Sequence, residues 1–262
     1  MEDKKQYFNS FLQEEGFTSA RLKTAGLTKN TLEEIFNDYE SHKSLFENEA
    51  KKIKEKIALF KGIHSATTRI KDSYELIRKI VRKSTKQAPI TKDNYLYKIT
   101  DIIGARILYI FKSDYMAIHE QIMEEFEKFF AESVQINVLF GTNKDFKGDI
   151  KGFIKENNFY SSIHYTIKTN STPETRCELQ TRTIFEEGVG EISHFATYKN
   201  NEKTPIIESA VKTLVRNVEL CNDIAELIKS LYEVNQQDKQ DEISIEVMQK
   251  KLIDRFQIKS VN

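Results

Sequence analysis

The stretch Arg176-Cys177-Glu178-Leu179-Gln180-Thr181-Arg182-Thr183 has the two-residue alternation of a β-strand. Its even-numbered residues share one face, and every one of them is polar. Leaving such groups unpaired inside an apolar core would cost on the order of a few kcal/mol each. We therefore interpret this face as the floor of a functional site, built on the sheet of an α/β protein.

A helix is predicted directly after this strand. Thr183 and Glu186 have capping-box spacing, in which two side chains satisfy the free N–H groups of a helix start. Helical spacing then continues to Lys199. One stripe of this helix carries Glu187, Glu191, His194 and Tyr198. The Glu191/His194 pair has no third ligand at metal-type spacing, which argues against a zinc site.

A second strand is predicted before the first, over residues 160–169, with a Pro-containing turn at 170–175 between them. Tyr160, Ser162 and His164 share one face of it. An aromatic ring, a hydroxyl and an imidazole on one surface suit a ligand that combines a base with phosphate. A histidine that is only structural is the alternative reading of the same residues.

A third, buried strand is indicated by the apolar, β-branched-rich run from Ile99 to Phe111. Asp101 lies at its mouth, and Arg106 lies within it. A charge at that position needs a hydrogen-bonding partner or a metal ion. Capping of the turn before the strand would explain Asp101 equally well.

A cluster of basic residues surrounds a predicted helix start at Asp72, which Glu75 follows at capping-box spacing. Arg69 and Lys71 lie just upstream and two residues apart, so an extended backbone aims both side chains the same way. The free N–H groups of the first helical turn add positive potential there. With Lys79 two turns further on, the cluster could hold a polyphosphate, although a solvated helix face can also look like this.

The rest of the chain is predicted to be mainly helical. Short helices broken near Gly16 and Gly26 are followed by predicted helices over 31–62, 115–130, 184–199, 205–234 and 243–256, with a polar break at 235–241. We expect a helical segment at 1–62, a mixed α/β core at 63–200 and a helical segment at 201–262. The fold class is α/β (α+β), with a mixed β-sheet flanked by helices.

Composition limits the function classes. The 262 residues contain 40 Lys plus Arg and 40 Asp plus Glu, so net charge does not favour nucleic acid or a membrane surface. Cys177 and Cys221 lack metal-type spacing and are interpreted as reduced thiols. No apolar signal region or membrane-length run occurs, so a cytoplasmic protein with no membrane partner is expected.

Together these segments resemble the RelA/SpoT alarmone synthetase family in order and spacing, over about residues 63 to 200. The matching motifs are Arg69-x-Lys71 with Lys79, Asp101 to Arg106, Tyr160-x-Ser162-x-His164, Glu178 to Thr183, and Glu191 with His194. The resemblance implies a nucleotidyltransferase-like synthetase core and an ATP-dependent pyrophosphokinase, which moves the β,γ-pyrophosphate of ATP to a ribose 3′-hydroxyl.

The resemblance also implies roles for individual residues. ATP would be bound by Arg69, Lys71, Lys79 and Arg106. The acceptor would be bound by Tyr160, Ser162, His164, Gln180, Arg182, Lys151 and Lys155. Asp101 and Glu178 would serve catalysis and hold Mg²⁺, with Glu178 assisting the metal or taking the proton of the 3′-hydroxyl.

Several positions depart from the family pattern. Phe159 replaces a glycine, Thr181 an apolar residue and Val189 a tryptophan, and the lysine-rich loop over 144–155 lacks the usual proline-containing pattern. These changes concern the acceptor side more than the ATP side. No His-Asp dipeptide of the family's hydrolase domain occurs, so synthesis without hydrolysis is expected.

Alternative functions stay open at this stage. GDP or GTP is the leading acceptor, which would make (p)ppGpp. The alternatives are a toxin-type enzyme that modifies the tRNA 3′ CCA end, an enzyme that makes an adenosine alarmone, and a catalytically inactive nucleotide-binding module. A homo-oligomer and an antitoxin partner are both compatible with the flanking helices.

Overall fold

The computed structural model describes residues 2–132, 134–139, 152–157, 162–198 and 205–241. The strands in this part form one six-stranded mixed sheet in the order β1-β2-β6-β5-β3-β4. They are β1 (Ser65–Ile70), β2 (Ile103–Tyr109), β3 (Val134–Leu139), β4 (Gly152–Asn157), β5 (Ser162–Lys168) and β6 (Arg176–Thr183). The predicted mixed α/β fold is therefore confirmed.

Helices precede, interrupt and follow the strands. They are α1 (Glu2–Glu14), α2 (Ser19–Thr24), α3 (Lys29–Ile57), α4 (Ser73–Lys83), α5 (Tyr95–Lys98), α6 (Tyr115–Phe126), α7 (Ile184–Tyr198) and α8 (Pro205–Asp241). The predicted break near Gly26 is confirmed, because its positive φ of 73° ends the second helix. A Cβ at Gly26 would also lie 3.0 Å from the Cα of Lys86, so the segment around Lys86 packs closely against the backbone of Gly26.

The strand registers place the predicted functional residues on one face of the sheet. Arg69 lies opposite Gly104 in the antiparallel β1/β2 pair, and Arg106 lies opposite Gln180 in the parallel β2/β6 pair. Gln180 in turn lies opposite His164 in the antiparallel β5/β6 pair. Because residues opposite one another share a face, these side chains lie on one polar face of the sheet that extends over four strands.

The other face of the sheet is apolar and buried. Ile103, Ile107 and Leu179 have no exposed surface, and they belong to one core cluster that also contains residues of α1, α3, α4 and α6. The long helix α3 packs against β1 and β2. Burial of this apolar face stabilises the sheet. The predicted functional residues lie on the opposite, polar face.

The helix after β6 begins as predicted. Thr183 Oγ1 accepts a hydrogen bond from Glu186 N, and Glu186 Oε2 accepts one from Thr183 N, at 3.1 and 2.8 Å. The capping box is therefore confirmed. Burial raises the pKa of Glu186 above its ordinary value, with the Lys112 ammonium acting in the opposite direction.

Three sequence-based assignments need correction. The polar stretch 235–241 does not end the preceding helix, because α8 continues through it to Asp241. Part of the predicted loop over 144–155 belongs to β4, which begins at Gly152. The predicted strand over 99–111 is shorter, because α5 ends at Lys98 and a turn carries Asp101 ahead of Ile103. The helix predicted over 243–256 lies outside the described residues.

None of the described helices combines the length and the apolar character needed to cross a membrane.

Candidate active site

Two lysines meet one carboxylate at the start of β2. Lys71 Nζ and Lys79 Nζ each lie 2.7 Å from Asp101 Oδ2. All three side chains are mostly buried, with exposed fractions of 13%, 14% and 21%. An ammonium group has three donors, so each lysine can hold Asp101 and still bind an anion.

Helix α3 fixes the backbone that presents these lysines. The hydroxyl of the buried Tyr39 donates a short hydrogen bond to the Lys71 carbonyl, and Ser73 donates one to Glu40. Asp72 caps α4 by accepting hydrogen bonds from the backbone N–H groups of Tyr74 and Glu75 at 2.9 and 3.1 Å. The predicted helix start at Asp72 is thus confirmed, although Glu75 pairs with Arg78 at 2.7 Å.

Asp101 is held in its ionised form. Burial by itself would raise the pKa of this carboxyl, but the Lys71 and Lys79 ammonium groups outweigh burial and hold the pKa below its ordinary value. Asp101 Oδ1 is buried and has no hydrogen-bond partner among the described residues. A buried, charged oxygen without a partner is expensive, so this atom is suited to a cation that binds with the substrate.

The polar face of β6 is a hydrogen-bonded row. Gln180 Nε2 donates to Glu178 Oε1 at 2.6 Å, and Gln180 Oε1 accepts a short hydrogen bond from Arg182 Nη2. On β5, His164 Nδ1 lies 3.7 Å from Glu178 Oε1, and its Nε2 lies 2.7 Å from Ser162 Oγ. The structure therefore brings Ser162, His164, Glu178, Gln180 and Arg182 together, as predicted.

Arginines from two neighbouring strands meet helix α7 above this row. Arg106 Nη1 donates a short hydrogen bond to Glu187 Oε1 and lies 3.0 Å from Glu191 Oε1. Arg182 Nη1 lies 3.4 Å from Glu187 Oε2. Helix α7 thus covers the part of the polar face formed by β2 and β6.

Arg69 is exposed and extends over β2. A Cβ on Gly104 would lie 3.5 Å from Arg69 Cγ and 3.7 Å from its Nε, so the arginine stem lies against the glycine backbone. Arg69 and Arg106 therefore project from adjacent strands on the same face. Two guanidinium planes in this arrangement can receive a flat, aromatic base.

Comparison with known proteins shows which family the chain belongs to. A family model described as a region found in RelA / SpoT proteins matches residues 68–203, just over half of the chain. The chain belongs to the RelA/SpoT family. No curated protein sequence matches it.

Solved structures with the same fold are small alarmone synthetases. Small alarmone synthetase 1 from Bacillus subtilis bound to its product pppGpp has a TM-score of 0.56 at 16% identity, covering 75% of this chain and 99% of that chain. The same protein bound to AMPCPP has a TM-score of 0.53 at 15% identity, covering 75% and 99%. A further structure of it has a TM-score of 0.52 at 20% identity, covering 76% and 96%. Family and fold together indicate a transferase of the pyrophosphokinase type.

Some predicted site residues of this RelA/SpoT-type chain cannot be placed. Tyr160 and Lys151 lie outside the described residues, and for Lys155 only the backbone, in β4, is described. Their acceptor-binding roles stay predictions. Val189 was expected on the acceptor side of the site. Instead it is buried with Val211 and Val215 between α7 and α8. The residue at this position of the RelA/SpoT fold therefore serves helix packing here.

The sequence pattern assigned no role to Lys83, whose ammonium group is influenced by the charges of Asp101 and Glu178. Partial burial and the neighbouring Lys79 lower the pKa of its ammonium group, whereas Asp101 and Glu178 act in the opposite direction. Both carboxylates therefore lie within electrostatic reach of one lysine. The signal that could have identified it is the four-residue spacing from Lys79, which places both on one face of α4.

Proposed function

We propose that this protein transfers the β,γ-pyrophosphate of ATP to the 3′-hydroxyl of GDP or GTP. The observation that carries the proposal is the convergence of Lys71 and Lys79 on Asp101, beside the polar row of β6. Pyrophosphoryl transfer asks a protein mainly for positioning and for neutralising phosphate charge. The two ammonium groups supply positive charge at one end of the row, and the arginines of β1, β2 and β6 supply it along the rest.

The donor side consists of residues from β1, α4 and β2. Arg69 and Arg106 would hold the adenine base between them, and Lys71 and Lys79 would bind the phosphates of ATP. The acceptor side consists of residues from β5 and β6, with His164, Ser162, Gln180 and Arg182 on the nucleotide phosphates and ribose. The ligands bound in the structures of small alarmone synthetase 1 from Bacillus subtilis, pppGpp and AMPCPP, are compatible with this division.

In the reaction, the acceptor 3′-oxygen forms a bond to the β-phosphorus of ATP. The bond between that phosphorus and the α,β-bridging oxygen breaks, and AMP leaves. We assign the proton of the 3′-hydroxyl to Glu178. Asp101 is less suited to accept it, because the two lysine ammonium groups hold its carboxylate in the ionised form and so make it a weak base. Glu178 has neutral Gln180 as its nearest hydrogen-bonding partner.

Asp101 is the residue that best fits Mg²⁺, since its buried Oδ1 has no partner among the described residues. No group of three His, Cys, Asp or Glu side chains in the described part of the chain could hold a metal by itself. Magnesium sites commonly combine one or two carboxylates with substrate phosphates and water. When bound, Mg²⁺ would neutralise charge on the phosphates in transfer; a ligand role for Glu178 stays a prediction.

A second acceptor is favoured by one feature of the sequence. The stretch 144–155 keeps lysines but lacks the proline-containing pattern expected for gripping a guanine nucleotide. A toxin-type enzyme acting on the tRNA 3′ end would not need that pattern. The neutral net charge weighs against RNA binding, although a local basic patch is sufficient for it.

The test is transfer of label from γ-labelled ATP with Mg²⁺ to GDP, GTP, ATP or deacylated tRNA, each offered separately. Label on GDP or GTP is the expected result. Label only on tRNA would establish the toxin-type alternative. Label only on a 3′-pyrophosphorylated adenosine nucleotide would establish an adenosine alarmone synthetase. Absence of label with every acceptor, together with ATP binding in the presence of Mg²⁺ that Asp101→Asn does not alter, would leave only a nucleotide-binding module. Asp93→Asn, which removes an exposed carboxylate, is the matched control.

A further inference from the structure

Glu187 touches one arginine of the donor side and one of the acceptor side. Its Oε1 accepts a hydrogen bond from Arg106 Nη1, and its Oε2 lies 3.4 Å from Arg182 Nη1. The side chain is 17% exposed, so the contacts are largely screened from solvent. We propose that Glu187 is a positioning residue that fixes these two guanidinium groups relative to each other. This inference rests on the proposed function, which assigns Arg106 to ATP and Arg182 to the acceptor.

The sheet register explains why such a residue is needed. Arg106 pairs with Gln180, and Arg182 pairs with Leu108, so the two arginines are diagonal neighbours on one face of β2 and β6. Their like charges repel each other at this separation. A carboxylate placed between them neutralises the repulsion and gives each long side chain one preferred orientation.

Two neighbouring positions on α7 affect only one arginine each. Glu191 contacts Arg106, at 3.0 Å, and is 62% exposed. Gly190 faces Arg182, because a Cβ on Gly190 would lie 2.4 Å from Arg182 Nη1. The end of a flexible side chain would have to move to make room for that methyl group. Substitutions on helix α7 can therefore be matched to the arginines that they affect. Glu187 serves for both arginines, Glu191 for Arg106 and Gly190 for Arg182.

The kinetic test compares Glu187→Gln, Glu191→Gln and Gly190→Ala with the wild-type protein. Glu187→Gln keeps the shape of the side chain and removes its charge, and should lower kcat/KM about tenfold for both ATP and the acceptor. Glu191→Gln should lower it about threefold for ATP only, because the contact is solvent-exposed. Gly190→Ala should lower it several-fold for the acceptor only. Since alanine favours a helix over glycine, unfolding would not explain that loss.

A second readout does not depend on turnover. In ¹⁵N,¹H spectra of the arginine Nε–H groups, assigned with Arg106→Lys and Arg182→Lys, Glu187→Gln should shift both signals. Glu191→Gln should shift only the Arg106 signal, and Gly190→Ala only the Arg182 signal. An unchanged spectrum for Glu187→Gln, or a kinetic effect on one substrate alone, would overturn the positioning role. If the spectra follow this pattern while the wild-type protein transfers no label to any acceptor, the contact geometry holds and the proposed function is what fails.

Discussion

The ammonium group of Lys79 lies 2.7 Å from Oδ2 of Asp101, and this ion pair connects helix α4 to the turn before β2. Lys71 reaches the same oxygen from the end of β1. The site is thus already assembled from three segments before any substrate binds. Because the lysines keep further donors, phosphate oxygens can join the ion pair without breaking it.

Asp101→Asn should reduce pyrophosphate transfer by a factor on the order of 10² to 10³, which is the size of effect expected when one charged group of a preorganised site is removed. ATP binding without Mg²⁺ should be retained, because Lys71 and Lys79 remain and lose a competing carboxylate. Initial rates and calorimetric ATP titrations in EDTA measure the two effects. Activity within threefold of the wild-type value would contradict the assigned role.

The Asp101 ion pairs should also make stability depend on pH. Since the folded-state pKa of Asp101 is depressed, its contribution to the free energy of unfolding is present above its unfolded-state pKa of about 3.9. It is lost as pH falls through the folded-state value. Urea unfolding of the wild-type protein and Asp101→Asn between pH 6 and 3 should show a stability difference that shrinks as the pH falls. A difference that stays constant over this range would rule out a depressed pKa.

Tyr39→Phe should weaken the support of Lys71. The substitution removes the hydroxyl that donates to the Lys71 carbonyl and leaves the buried ring in place. We expect a loss of about 1 to 3 kcal/mol in the free energy of unfolding, together with a higher KM for ATP. Tyr97→Phe is the control, because Tyr97 is 51% exposed. Equal effects of the two substitutions in urea unfolding and ATP kinetics would show that the hydrogen bond does not position Lys71.

The two cysteines should differ sharply in reactivity. Cys177 is fully buried in β6, and burial raises the pKa of its thiol, whereas Cys221 is exposed on α8. A thiol reagent should therefore modify Cys221 rapidly in the folded protein and Cys177 only after unfolding. Cys221→Ser should remove the fast phase. Rapid modification of Cys177 under native conditions would mean that β6 is not packed as described.

Local sequence patterns predicted the elements that build the site. The alternation over 176–183 is a property of one strand, and the Thr183/Glu186 capping box is a property of one helix start, so both could be predicted from the sequence. β3 is missing from the predicted strands, although Val134, Ile136 and Val138 alternate as they would in a strand. No comparable pattern marks β4, which among the described strands pairs with β3 alone and contains Lys155 and Glu156.

Other features depend on contacts that are distant in sequence. The polar residues of 235–241 include glutamine and lysine, which favour a helix without needing an apolar face, so α8 continues where a break was predicted. Arg106 and Glu187 are 81 residues apart, and they meet only because α7 turns back over β2 and β6. The packing of Val189 against α8 helps to set that orientation. The division of the chain at residues 62 and 200 stays a prediction.

³¹P NMR of the purified protein with ATP, Mg²⁺ and GDP identifies the transferred group, which we propose is pyrophosphate. We expect AMP and a 3′-pyrophosphorylated guanine nucleotide in equal amounts, with both products formed about 10² to 10³ times more slowly by Asp101→Asn. Formation of ADP with a monophosphorylated product or inorganic phosphate would contradict it.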